Sequence, residues 1–221
     1  MVSGVTAPRA SAPLPARERR KAETRAALLD AAFELCAERG LDGPSIDDIA
    51  AHAGFTKGAF YANFASKQDL FMAMIDERFT AVTEALGGAV AGNDPVNEAA
   101  AAAIRFIETV NSVPGGATLF FQFVAFAGRH EEFKRRFDER YGELHVRVVE
   151  ILRRWSDEFD ERPELPVEQV ATMVSAMGNG FLLEQQIDPS LRDELHGTML
   201  AIFFRGLQAV SAGWEPEREG S

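Results

Sequence analysis

The sequence predicts an all-α protein in two helical parts, on three observations. Apolar residues recur at helical spacing in segment after segment, and no alternating strand pattern interrupts them. Across residues 45–67 two short helical patterns are separated by a single glycine, Gly54. The run of Gly87, Gly88, Gly92, Asn93, Asp94 and Pro95 is the clearest break in the chain. Together they place an irregular arm at residues 1–19, a three-helix unit with its linking helix at 20–78, a larger helical unit at 79–215 and a tail at 216–221.

The arm is rich in Ala, Pro, Ser and Arg, and Pro8, Pro13 and Pro15 discourage regular structure there. Residues 17–39 read as one helix, with Leu28, Ala31, Ala32, Leu35 and Cys36 on its buried stripe and Gly40 just past its end. Ile46, Ile49, Ala50 and Ala53 mark one face of the next helix, and Ser45 with Asp48 three residues on forms a capping box. Gly54 supplies the positive φ of the turn, and Thr56 caps a helix over 57–64. Ser66 caps a long helix through Leu70, Met74 and Phe79 to about residue 86, which links the two parts. Beyond the break the predicted helices are 96–111, 118–128, 130–159, 167–187 and 190–214. Pro114-Gly115-Gly116 separates the first from the second, Pro163 with Pro166 the third from the fourth, and Asp188-Pro189 the fourth from the fifth.

A chain of 221 residues suffices for one or two domains. Its 46% apolar and 26% charged residues are those of an ordinary soluble protein. The single cysteine, Cys36, excludes an intramolecular disulfide and offers no metal spacing. Lying beside Phe33 and Leu35, it reads as core packing, with a redox sensor as the lesser alternative. The first nineteen residues hold no apolar stretch of signal-peptide length, and the longest apolar run, residues 119–127, falls far short of the roughly twenty a membrane span needs. The expectation is a cytoplasmic protein without a membrane partner.

The net charge of −11 is unevenly spread. Residues 79–221 hold 13 Lys and Arg against 23 Asp and Glu, whereas residues 1–78 hold 10 against 11. Arg9, Arg17, Arg19, Arg20, Lys21 and Arg25 concentrate positive charge at the start, and an acidic remainder would orient the chain on an anionic partner. In the second short helix, Gly58 and Ala59 let another surface approach the backbone, and Lys57 adds a cation. Tyr61, Asn63 and Lys67 supply a phenol, an amide and an ammonium, each able to donate to phosphate oxygens. A solvated helical corner fits the spacing alone equally well.

The run Phe55-Thr56-Lys57-Gly58-Ala59-Phe60-Tyr61-Ala62-Asn63-Phe64, closed by Ser66-Lys67 and Leu70, resembles the recognition-helix signature of the TetR family of bacterial transcriptional regulators. Leu28, Leu29, Ala31, Ala32, Phe33 and Leu35 ahead of Glu38-Arg39-Gly40 resemble that family's first helix, as Ser45-Ile46 with Ile49-Ala50 resemble its second. The likeness spans roughly residues 20–75. Asn63 stands where family members commonly have histidine, and Cys36 where they have a second aromatic. The resemblance implies a helix-turn-helix domain followed by a ligand-binding and dimerisation domain, with double-stranded operator DNA, a small-molecule effector and a second copy of the chain as partners. The DNA contacts it implies are Ser45, Thr56, Lys57, Gly58, Ala59, Tyr61, Asn63 and Lys67. The expected function is a regulator, most simply a repressor released from a palindromic operator by an apolar or amphipathic molecule. An activator using the same contacts, or a helical carrier or enzyme with a vestigial helix-turn-helix, are the alternatives.

For the second unit the residues add two expectations. Nine of the seventeen phenylalanines fall between residues 79 and 160, enough to wall an apolar pocket as well as fill a core. Phe106, Phe120, Gln122, Phe123, Trp155, Met177 and Phe181 are the candidate effector contacts, with Gln122 as one polar anchor and Arg105 or Asn179 as others. The last two helices carry apolar faces wider than one neighbour needs, so pairing with a second copy across Met173, Ala176, Gly180, Leu183, Met199, Phe203, Gly206 and Val210 would build a two-fold four-helix bundle. No catalytic arrangement emerges. The four histidines, His52, His130, His145 and His196, are scattered; His130-Glu131-Glu132 lacks a zincin's second histidine, and Asp193 with His196 reads as a surface pair. The expectation is no enzyme, no cofactor and no metal.

Overall fold

The computed structural model describes residues 15–87, 94–113, 115–158 and 165–210, which form helices and turns with no strand among them. The first part contributes α1 (Ala16–Arg39), α2 (Ile46–His52), α3 (Lys57–Tyr61) and α4 (Lys67–Gly87). The second contributes α5 (Pro95–Asn111), α6 (Gly116–Ala127), α7 (Glu131–Glu158), α8 (Val167–Ile187) and α9 (Asp193–Val210).

Local chemistry sets most of these boundaries. The Ser45 N–H donates to the Asp48 carboxylate at 2.8 Å while the Asp48 N–H donates to the Ser45 hydroxyl at 3.1 Å, the reciprocal box that starts α2. Hydrogen bonds from the Ser45 side chain and backbone hold the Asp48 carboxyl below its usual range. Gly54 turns the chain at φ 77°. Thr56 Oγ1 accepts from the Ala59 N–H and caps α3. That helix stops at Tyr61 rather than 64, for a visible reason. The Asn63 side-chain amide takes the Ala59 carbonyl that a continuing helix would give to the Asn63 N–H, which donates to the Phe60 carbonyl instead.

Three other expectations are revised. The arm expected over 1–19 yields to α1 from Ala16, because Pro15 takes an extended conformation (φ −52°, ψ 143°) and its carbonyl accepts the Arg19 N–H at 3.0 Å. Asp94 caps α5 through the Val96 N–H, with Pro95 at its first position. The last helix starts at Asp193 rather than 190, since the Asp188 carboxylate accepts from the Ser190 N–H and hydroxyl to form a turn. The rest of the arm (residues 1–14), Gly88 to Asn93 of the predicted break, Pro114, Pro163, residues 211–214 of the last predicted helix and the tail lie outside the described residues.

One core cluster runs through both parts. Leu28, Ala32, Ile49, Phe60, Phe64, Leu70, Phe71 and Met74 of α1–α4 are continuous with Leu119, Phe123, Phe126, Phe133 and Phe137 of α6 and α7. Arg136 to Asp69 at 3.1 Å and Arg140 to Asp76 at 2.8 Å clamp α7 along α4 from outside. Two smaller clusters lie further on, one around Val82, Ile107, Phe181 and Leu182, the other around Val149, Leu152, Val170 and Leu207. Helix α9 packs most extensively along α5. Among the described residues no single helix is long and apolar enough to cross a membrane.

Candidate DNA interface and effector cavity

The α2–α3 corner presents a blunt polar surface backed by fully buried Ile49 and Phe60. Ser45, Thr56, Lys57 and Gly58 are exposed on it, as is Tyr61 at 51%; Ala59 is half-buried. Apart from its chain neighbours and its own helix backbone, only the Thr56 hydroxyl among the described residues lies within 4 Å of a Cβ built on Gly58, so the helix start stands clear for another surface. Lys57 Nζ lies 2.8 Å from Asp47 Oδ2, and this hydrogen bond raises the lysine's pKa. A cation held this way stays charged but must leave Asp47 to reach a phosphate.

Two of the expected contacts sit differently. Asn63 is half-buried, with its amide nitrogen committed to Ala59 at 2.9 Å and its Oδ1 enclosed without a donor among the described residues. It shapes the end of α3 instead of pointing outward. Lys67 is half-buried with its ammonium 5.4 Å above the Phe71 ring, at the start of the linking helix. Arg25 of α1 lies 4.3 Å over the Phe64 ring and donates to the Asn63 carbonyl, joining the brace helix to the corner.

Between α4 and the helices of the second part lies a cavity of about 140 Å³ with an overwhelmingly apolar wall. An engineered apolar cavity of roughly this size accepts benzene. Phe106, Phe120, Phe123 and Trp155 stand in the wall as expected. Gln122, Met177 and Phe181 do not. Gln122 follows α6 round to another face, where its Oε1 is buried within 3.9 Å of a Cβ built on Gly40, without a donor among the described residues. Phe181 stacks on the His196 ring at 5.2 Å inside the second cluster, and Met177 is half-buried outside the wall. One wall position is reserved by the backbone: a Cβ on Gly178 would lie 2.9 Å from the Phe106 ring.

The polar groups of the wall are few. Arg78 Nη2 donates to the Thr109 and Val110 carbonyls at 2.5 and 2.9 Å, tying α4 to the negative end of α5. Asn179 donates to the Tyr141 hydroxyl at 3.4 Å. His196, expected at the surface beside Asp193, is 2% exposed, because α9 turns that face onto α5. No sequence signal distinguished it, since its burial depends on an α5 partner ninety-three positions away. His130 is likewise drawn in, stacked 3.8 Å from Phe126 with Nδ1 near that residue's carbonyl.

The outer face of α8 and α9 carries the largest exposed apolar residues of the second part. Ile187 is 72% exposed and Ile202 66%, and Met173, Leu183, Leu195, Ala176 and Gly180 are exposed as well. Gly206 is also exposed. Met199 and Phe203, also expected on this face, are half-buried: Met199 packs in part on the cluster of Ile107 and Phe181, and Phe203 on that of Val170 and Leu207. The Val210 side chain lies outside the described residues. Cys36 is fully buried and its thiol is pushed up to about 11 by burial, far from a reactive thiolate. No group of three or more His, Cys, Asp or Glu among the described residues could hold a metal ion.

A capped helix-turn-helix, joined by one long helix to a helical body with an internal cavity, defines a helix-turn-helix transcription regulator. Residues 28–74 match the family model of bacterial regulatory proteins, tetR family, and residues 114–210 that of the BetI-type transcriptional repressor, C-terminal. The HTH-type transcriptional repressor BepR of Brucella suis is 27% identical over 168 residues, covering 74% of this chain and 80% of that one. The HTH-type transcriptional regulator AcrR of Shigella flexneri is 45% identical over 49 residues, 22% of this chain and 23% of that one. Among solved structures, Salmonella enterica GusR superposes with a TM-score of 0.70 at 21% identity, covering 84% of this chain and 95% of its own. FadR of Bacillus subtilis, in complex with stearoyl-CoA, gives 0.66 at 16%, covering 86% and 99%. The chain belongs to the TetR family of transcriptional regulators.

Proposed function

We propose that the chain is a homodimeric repressor that leaves a palindromic DNA operator when a small, largely apolar molecule occupies its cavity. One observation carries the reading: the cavity wall and the DNA-facing unit share a core. Phe123 lines the cavity, and its ring meets Phe71 of α4 at 5.8 Å. Phe71 in turn lies beneath Lys67, at the start of the helix that follows the α2–α3 corner. An occupant that displaces Phe123 presses on α4 through that contact and through Arg78, and so re-aims α3. The effect is limited by the occupant's difference in affinity for the two shapes. The stearoyl-CoA bound to the FadR neighbour supports a ligand site in this fold, and the repressor name of the Brucella relative supports the sign.

Dimerisation supplies the second half of the argument. One short helix start makes few contacts, whereas two placed about 34 Å apart enter successive major grooves on one side of a duplex. The exposed stripe of Met173, Leu183, Ile187, Leu195 and Ile202 supports pairing through α8 and α9. Ser45, Thr56, Lys57, Tyr61 and the backbone at Gly58 are the expected contacts that face outward. A fluorescence-anisotropy titration with duplexes from upstream of the chain's own gene, at low salt, tests the reading. A selective duplex that Lys57→Ala and Tyr61→Ala weaken without unfolding the protein is the expected result; no selective duplex overturns it.

A further inference from the structure

His196 stands in the cavity wall, and its hydrogen bonding is incomplete in a way that specifies a partner. Its Nδ1 lies 3.1 Å from the Ala103 carbonyl oxygen. A carbonyl oxygen only accepts, so Nδ1 carries the hydrogen. Burial pushes the imidazole's pKa down and keeps the ring neutral. In that tautomer Nε2 is a lone pair, and it is buried with no hydrogen-bond partner among the described residues. Phe106 and Phe181 flank the ring at 6.1 and 5.2 Å and have no polar hydrogen to give. Buried acceptors without donors are uncommon in native structures. This one belongs to a residue of the cavity wall.

Resting on the cavity reading above, we infer that His196 Nε2 is the polar anchor of the effector, and that the effector is a neutral, mostly apolar or aromatic molecule bearing a hydroxyl or amide N–H that donates to it. The chemistry is selective. A carboxylate has no hydrogen to offer and would set its negative charge against the lone pair. A pure hydrocarbon fills the wall of Phe106, Phe120, Phe123 and Trp155 but leaves Nε2 as it was. Of the other polar groups in the wall, Arg78 is committed to two α5 carbonyls and the Asn179 amide to Tyr141, while Ser175 and His145 stand there half-buried. Among these groups of the wall, His196 Nε2 is the side-chain atom buried without a partner among the described residues, so it gains most from an added donor.

Three matched probes test the assignment: naphthalene, 2-naphthol and 2-naphthoate, titrated against the native chain with Trp155 fluorescence and calorimetry. The expected order is 2-naphthol about tenfold tighter than naphthalene, as one neutral hydrogen bond gives, with 2-naphthoate weakest. His196→Asn keeps a donor for the Ala103 carbonyl and removes Nε2; the naphthol-to-naphthalene ratio then falls to about one, whatever the change in naphthalene affinity. Imidazole 15N resonances of the native protein give the same answer without a variant, since Nε2 of His196 moves with 2-naphthol and not with naphthalene. Equal binding of naphthol and naphthalene, or a ratio that survives in His196→Asn, overturns the anchor and leaves the cavity reading standing. Binding of none of the three overturns the cavity reading, and the anchor falls with it.

Discussion

The α1–α3 corner and the α5–α9 body are built on opposite plans. In the corner each turn is fixed by residues a few positions away: the Ser45–Asp48 box, Gly54 at φ 77°, Thr56 on Ala59 and the Asn63 amide on the same residue's carbonyl. Its core side chains, Leu28, Ile49, Phe60 and Phe64, are packed to within 1% of full burial. The body keeps space inside it and encloses the Gln122 Oε1 and His196 Nε2 acceptors without donors among the described residues, whereas in the corner Asn63 Oδ1 is likewise without one but does not border that space. A tightly packed corner holds the shape that DNA meets, and a body with slack takes up another molecule. The two are joined where Phe71 meets Phe123, Phe126 and Phe133.

That contrast can be broken by variants, the largest effect falling at the junction. Phe71→Ala removes a 1% exposed ring common to both plans, and chemical denaturation should show a loss of about 3–5 kcal/mol with DNA binding lost as well. Ile202→Glu places a charge in the proposed dimer face; sedimentation should show a folded monomer whose operator affinity falls by about a hundredfold or more, the avidity of two linked sites being lost. Lys57→Ala should lower operator affinity about tenfold, reduce the slope of affinity against salt by about one, and leave the melting temperature unchanged. Asp47→Asn should act in the opposite sense and strengthen DNA binding a few-fold, because it frees Lys57 from its partner.

The smallest effect concerns pH. Burial depresses the His196 pKa, so below the unfolded value of about 6.5 the unfolded chain takes up a proton that the folded chain resists. Stability should therefore be level above pH 7 and decline as pH falls from 6.5 toward 5. His196→Asn should flatten that segment of the profile in thermal melts.

The same contrast decides what was legible in the sequence. Caps, glycine turns and helical stripes act over three or four residues, so the corner could be read before any packing was known. Even there, the place of the Asn63 side chain was not legible, since its amide competes for a backbone carbonyl that sequence alone assigns to the helix. In the body the helices were legible but their rotations were not. Gln122 sits one position from Phe123 and faces another way, and Met199 and Phe203 are half-buried while Ile202 is exposed. His196 was hidden for the same reason: its burial is set by α5, through a bond to Ala103.

Hydroxyl-radical footprinting of the native chain on its selective upstream duplex tests the central claim most directly. The account predicts two protected patches on one side of the duplex, one helical turn apart and related by a dyad, both lost together in Ile202→Glu. A single patch that survives in that monomer would contradict it.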